Sequence, residues 1–192
     1  MKPLAPSLGL PLTLLLAAFG AGCASTSTPA APPAPTDPLH AWLGTWSGTA
    51  TNHRPDGTTF DFPMTLEIEP VGDQTDHYTW TITYGEGDRQ QIRPYELIVI
   101  DAPSGRYAID EQNSIVLDTT MLDGALYSQF EIEGIRLTTS YRLGPEPEQL
   151  TCEILTSSAE AGSATGNTDG VPRVSLFQPR SLQRAVLLRK PR

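Results

Sequence analysis

Cysteine is scarce in this chain. Two occur in 192 residues, Cys23 and Cys152, so no disulfide framework holds the fold. Histidine is scarcer than metal chemistry needs. His40, His53 and His77 have no metal-ligand spacing, and none is near Cys152. A structural zinc wants about four N or S ligands, and a Ser-His-Asp constellation has few candidates for its base. Basic charge is outnumbered: 13 Lys and Arg face 22 Asp and Glu, for a formal net charge of −9. Such a surface repels phosphate backbones, so nucleic acid is not an expected partner. The plain consequence of the charge is solubility. Helical periodicity is absent beyond one short turn, and no internal repeat is visible.

The N-terminal stretch stands apart. Lys2 precedes an apolar run from Leu8 to Phe19, interrupted by Pro11 and followed by small residues. That order reads as a secretory signal peptide over 1–22, too short to span a bilayer comfortably. Without residues 1–22, whose only charge is Lys2, the remainder carries about −10. Residues 23–38 are rich in Pro, Ala, Ser and Thr. They favour an extended, semi-stiff tether, with a reach of roughly 40 Å at about 3 Å per residue. Residues 39–192 are then enough for one domain with a real core.

Gly20-Ala21-Gly22-Cys23 resembles the lipobox of bacterial lipoproteins, in which a small residue precedes an invariant cysteine. Gly20 stands where that family usually has Leu. The resemblance implies cleavage before Cys23, diacylglycerol on its sulfur, and acylation of the new amino terminus. More than one acyl chain anchors stably. The expected partner is therefore a membrane, through the lipid. Residue 24 is Ala rather than Asp, which by the same resemblance favours the outer membrane if the cell is Gram-negative.

The domain opens on Asp37-Pro38, which suits the start of a short helical turn over 40–43. Gly44-Thr45-Trp46 then begins the first strand. Phe60, Phe62, Met64, Leu66 and Ile68 alternate with mostly polar residues, which is the period of a half-buried strand. Pro63 breaks one ladder position there and suggests a bulge or an edge. Further strands are expected over 78–84, 89–101, 106–110, 114–119, 124–132, 135–143, 150–155 and 182–189, with a long flexible loop over 157–180. Turn signals at about 8–12-residue spacing suit a sandwich or a barrel. Short turns make sequence neighbours sheet neighbours, and closure removes exposed edges. The expected fold is all-β: one antiparallel up-and-down barrel of about 8–10 strands.

Gly44-x-Trp46 after a short turn resembles the start of the calycin superfamily, the lipocalins and fatty-acid-binding proteins. The resemblance implies that Trp46 closes one barrel end and stacks on an Arg of the final strand. Arg184, alternating with Leu182, Val186 and Leu188, is the expected partner. Ala185 and Leu187 leave the register open, with Arg189 the other candidate. Nitrobindin-like barrels also begin with Gly-Thr-Trp and bind haem through a late His. No His follows His77, so no cofactor is expected by that route.

Trp80, Tyr84, Tyr107, Phe130 and Tyr141 fall on inward-alternating sets, with Ser128 and Thr139 as polar companions. In a barrel of this size such residues either line a cavity or fill the lumen. The lining reading gives a site for a small apolar ligand. The filling reading gives an envelope structural or interaction module. Cys152 shares the inward set of Leu150 and Ile154 and is expected as a buried, inert thiol. Asp110, Glu111, Asp118 and Asp123 gather at one hairpin. They lack the spacing of a calcium loop and read as solvated turn acids rather than an acid–base pair. No catalytic constellation is present, and no enzyme is expected.

Overall fold

A computed structural model describes residues 39–145 and 148–191. The leader, Cys23, the tether and the Asp37-Pro38 cap lie outside the described residues. A single 3-10 turn, His40–Trp42, leads into β1 (Gly44–His53). There follow β2 (Thr59–Ile68), β3 (His77–Tyr84), β4 (Gln91–Asp101), β5 (Arg106–Asp110) and β6 (Val116–Leu122). Then come β7 (Ala125–Ile132), β8 (Ile135–Leu143), β9 (Gln149–Ser158), the short β10 (Ser163–Thr165) and β11 (Val174–Leu176), and β12 (Pro179–Arg189). β1 to β9 pair in sequence order, and β12 lies between β9 and β1. The result is a closed antiparallel barrel of ten strands, lipocalin-like in its all-β, up-and-down plan. β10 and β11 pair only with each other. They form an exposed arm within the stretch read from sequence as a loop, and Arg136 of β8 stacks on Phe177 at its base, 4.4 Å from the ring centroid.

Strand direction sorts the inward residues into two halves. The 3-10 turn, the starts of β1 and β9 and the end of β12 share one end of the barrel. The β1–β2, β3–β4, β5–β6 and β7–β8 turns share the other. At the first end the lumen is packed solid: Trp46, Leu66, Ile68, Leu97, Leu150 and Leu187 are fully buried, and Leu39 and Trp42 cover them from below. Trp80 is edge-on to Tyr141, with centroids 5.0 Å apart. A middle layer of Met64, Ile82, Ile109, Cys152 and Ala185 is also buried. Its polar members satisfy each other, Thr119 Oγ1 and Ser128 Oγ sharing a hydrogen bond of 2.7 Å. Toward the second end the inward residues are only part-buried, among them Phe62, Tyr84, Tyr95, Phe130, Leu137, Thr139, Ile154 and Gln183, and Phe60 is 63% exposed.

Closure at the packed end corrects one expectation. Trp46 pairs with Arg189, Gly48 with Leu187 and Ala50 with Ala185, so the inward set of β12 is the odd-numbered one. Arg189, not Arg184, lies over the Trp46 ring, 4.0 Å from its centroid. Its guanidinium also donates to the Leu43 and Ala41 carbonyls, while Trp46 Nε1 donates to the Trp42 carbonyl at 2.8 Å. Arg184 faces outward and meets Glu153 at 3.4 Å. The physical reason is register. Ala185 and Leu187 are buried against Ala50 and Gly48, whereas Val186 and Leu188 are exposed. A Cβ on Gly48 would stand 2.3 Å from the Val186 carbonyl oxygen. Gly44, at φ +125, lies under the same guanidinium.

Candidate functional site

The site lies beside Pro63. A strand residue presents its N–H and C=O to the same neighbour. The Pro63 carbonyl accepts from the Gly85 N–H at 2.9 Å, so the donor that proline lacks is missing on that side too. The β2–β3 ladder runs only from Glu67↔Thr81 to Met64↔Tyr84, because β3 ends at Tyr84 and turns at Gly85. β2 from Thr59 to Phe62 continues past that turn, paired with β1 alone. Pro63 thus marks where β2 and β3 part inside a closed barrel, an edge on the β3 side.

A cleft of about 480 Å³ occupies this parting, between β2 and the β3–β4 turn. Its apolar wall is Phe60, Phe62 and Tyr84. The Phe60 and Phe62 centroids are 5.4 Å apart, and Phe62 meets Tyr84 edge-on at 5.8 Å. Arg89, Gln91 and Arg93 line the other side, and Asp61 and Glu86 stand at the rim. Burial pushes the Tyr84 phenol up to about 12, and a hydrogen bond with the Gln183 side chain, then the Arg93 charge, act against that rise. The Tyr95 phenol is also raised, by burial and then by Glu111, with Arg93 again opposing. Asn52 of β1 lies across from both Phe60 of β2 and Gln183 of β12. The Gln183 side chain bonds the Tyr84 phenol, and Asn52 Oδ1 is buried without a hydrogen-bond partner; neither residue lines the cleft itself.

The seven residues expected to line a lumen divide between the halves. Trp80, Tyr107, Ser128 and Tyr141 belong to the buried part, where they fill space. Tyr84, Phe130 and Thr139 face the part-buried half, and of these Tyr84 lines the cleft. Sequence reading missed Phe60, Phe62, Arg89 and Arg93 as site residues. The usable signal was the pair of phenylalanines alternating just before a strand proline.

Other candidates gather no site. Cys152 is fully buried. Burial pushes its thiol up to about 12, and the Tyr141 hydroxyl beside it offsets only part of that. At the acidic hairpin Asp110 accepts from the Gln112 N–H at 2.7 Å, and Asn113 Oδ1 accepts from the Ile115 N–H at 3.0 Å. Positive φ falls there on Gln112 and Ser114, not on Asn113, whose side chain serves the turn instead. His77 pairs with Glu96 at 3.2 Å. Among the described residues no group of three His, Cys, Asp or Glu is placed to hold a metal ion.

No family model matches this chain, and no curated protein matches it. Solved structures do. One is a protein of unknown function from the DUF3598 family of Nostoc punctiforme, with a TM-score of 0.54 and 15% identity, covering 79% of this chain and 49% of that one. This chain therefore spans about half the length of that protein. Another is the S-type phycobiliprotein lyase CPES from Guillardia theta, with a TM-score of 0.56 and 8% identity, covering 80% of this chain and 91% of that one. At such identities the likeness is one of fold, a closed antiparallel β-barrel.

Proposed function

We propose that this is a lipid-anchored protein of the cell envelope whose barrel takes a small, largely apolar ligand. The observation that carries the ligand reading is the cleft beside Pro63, with three aromatic rings along one wall and Arg89, Gln91 and Arg93 along the other. An apolar pocket with a few polar groups is the usual form of a small-molecule site. One of the solved structures of similar fold is named a phycobiliprotein lyase, which supports a barrel of this plan serving a small molecule. The lipid on Cys23 rests on the lipobox resemblance, and it would make the barrel a tethered carrier or sensor.

The ligand reading is tested by titrating the purified chain with N-phenylnaphthylamine, a neutral lipophile that fluoresces when desolvated. Saturable binding is expected, and Phe62→Ala should weaken it about tenfold, since roughly 1.5 kcal/mol of apolar contact is removed. No saturable signal, or an unchanged affinity in Phe62→Ala, would refute it. Anchoring is read separately, by incorporation of labelled palmitate into the wild-type chain and its loss in Cys23→Ser.

A second reading has its own observation. The β10–β11 arm exposes Val171, Val174, Leu176 and Phe177, as a module that presents a surface to an envelope protein would. Site-directed crosslinking from Leu176 in intact cells distinguishes it, because a pure ligand carrier yields no discrete crosslinked partner.

A further inference from the structure

We propose that the ligand of this cleft is an amphipathic monoanion, its apolar body against Phe60, Phe62 and Tyr84 and its acidic head on Arg93, with Arg89 at the rim. This rests on the reading of the cleft as a ligand site and names the charge of what it takes.

The sequence places Arg93 unusually for a surface arginine. β4 pairs Ile82 with Arg93 and Trp80 with Tyr95. Ile82 and Trp80 are buried inward residues, so Arg93 lies on the inward set at the open end of its strand. Its side chain is exposed, bonds the Tyr95 phenol and lines the cleft. Arg89 follows one turn before β4, at the tip of the β3–β4 connection.

Neither arginine has a carboxylate partner among the described residues. The ion pairs there involve His77, Arg142, Arg184 and Arg189. A guanidinium is planar, weakly hydrated and forked. It can lie along an aromatic wall and still give two parallel hydrogen bonds to one acidic group. The carboxylates nearby limit what can bind. Asp61 is on the outward set of β2, opposite Thr51, Glu86 is on the turn, and Glu111 lies beside Tyr95. They disfavour a polyanion in a chain already at −9, and leave room for one negative charge at Arg93.

A matched pair of probes tests this. Anilinonaphthalene sulfonate and N-phenylnaphthylamine share the same ring system, and only the first carries a charge. At low salt the sulfonate should bind the full chain about tenfold more tightly, and the advantage should shrink as salt rises. Arg93→Gln should bring the two affinities to within about twofold of each other while leaving the amine where it was. Arg93→Lys should keep part of the preference. Sodium acetate at matched ionic strength, a head without a body, should displace neither probe. Equal affinities in the wild type overturn the proposal, as does an Arg93→Gln loss common to both probes, or displacement by acetate. If neither probe binds, the ligand reading of the cleft fails and the charge preference falls with it. If only the amine binds, the ligand reading stands and the anionic head alone is refuted.

Discussion

Arg189→Ala should be the costliest surface-reaching substitution in the barrel. The side chain is mostly buried, with 21% of its area exposed. Over the Trp46 ring at 4.0 Å, a desolvated cation is worth about 1–2 kcal/mol. Its hydrogen bond to the part-buried Leu43 carbonyl adds roughly 1.5–3 kcal/mol, as a bond from a charged donor. The Ala41 carbonyl is exposed and turns to water when the arginine goes. The Glu148 contact, at 3.4 Å with the carboxylate 66% exposed, adds little, as exposed pairs do. The expected loss is therefore about 3–4 kcal/mol. In a domain of this size that lowers Tm by roughly 6–14 °C. Lys at 189 keeps the cation over the ring and forfeits the fork, so it should lose about half as much. Arg184→Ala is the internal control. Its pair with Glu153 is solvent-exposed, and its removal should cost under about 1 kcal/mol. Urea unfolding of the three variants beside the wild type reads all of this from one set of curves. If Arg189→Ala and Arg184→Ala unfold within about 0.5 kcal/mol of each other, the clasp at the packed end has been misjudged.

Gly48→Ala should cost about 3 kcal/mol or more, because the clash is with Val186 backbone and β1 and β12 must part to relieve it. Gly162→Ala, with open space around its Cβ, should unfold nearly as the wild type does in the same melts. Thr119→Val leaves the buried Ser128 hydroxyl without its partner and should cost about 1–3 kcal/mol. The Thr119→Val/Ser128→Ala pair should regain most of that, and a double-mutant cycle on unfolding free energies reads the coupling. Alkali should weaken the fold through groups held neutral inside it. Cys152 moves from 9.0 to about 12 and Tyr84 from 10.0 to about 12 on folding. Between those values the unfolded chain has released the proton and the folded chain keeps it. Stability is therefore full below about pH 9 and falls through about pH 12, at up to roughly 1.4 kcal/mol per pH unit for each group. The Cys152→Ala/Tyr84→Phe variant should show a flatter decline, measured by unfolding from pH 8 to pH 11.

Much of the architecture was legible because strand and turn signals agree along the chain. The hairpin turns at Glu133-Gly134 and Asp123-Gly124 adopt positive φ, and their residue types announce it. Alternation fixed most faces for the same reason. It failed at β12, where 182–188 is apolar on both faces and only Gln183 and Arg184 are polar at its start. There the register against β1 and β9, strands far away in sequence, chose the face. The β10–β11 arm was read as loop because its strands are three residues each and fully exposed, so no buried face imprints a period. The cleft was hidden for a related reason. Each of its residues looks ordinary alone: two phenylalanines in an amphipathic strand, one arginine in a turn, one at a strand start. What makes a site of them is where the β2–β3 ladder stops, and that is a property of pairing, not of composition.

The place of β12 in the barrel has a kinetic consequence. The contact that seals the cylinder joins Trp46 to Arg189, near opposite ends of the domain sequence. During synthesis β1 keeps an open edge until β12 emerges, after ten intervening strands counting β10 and β11, and β9 becomes a second edge when it appears. Sheets with bare edges invite wrong partners, and such long-range closure makes folding slow. Any stop upstream of residue 182 leaves both edges exposed on an otherwise complete sheet. The fold therefore commits only once β12 has emerged, and that strand decides between a sealed cylinder and a sheet open to another.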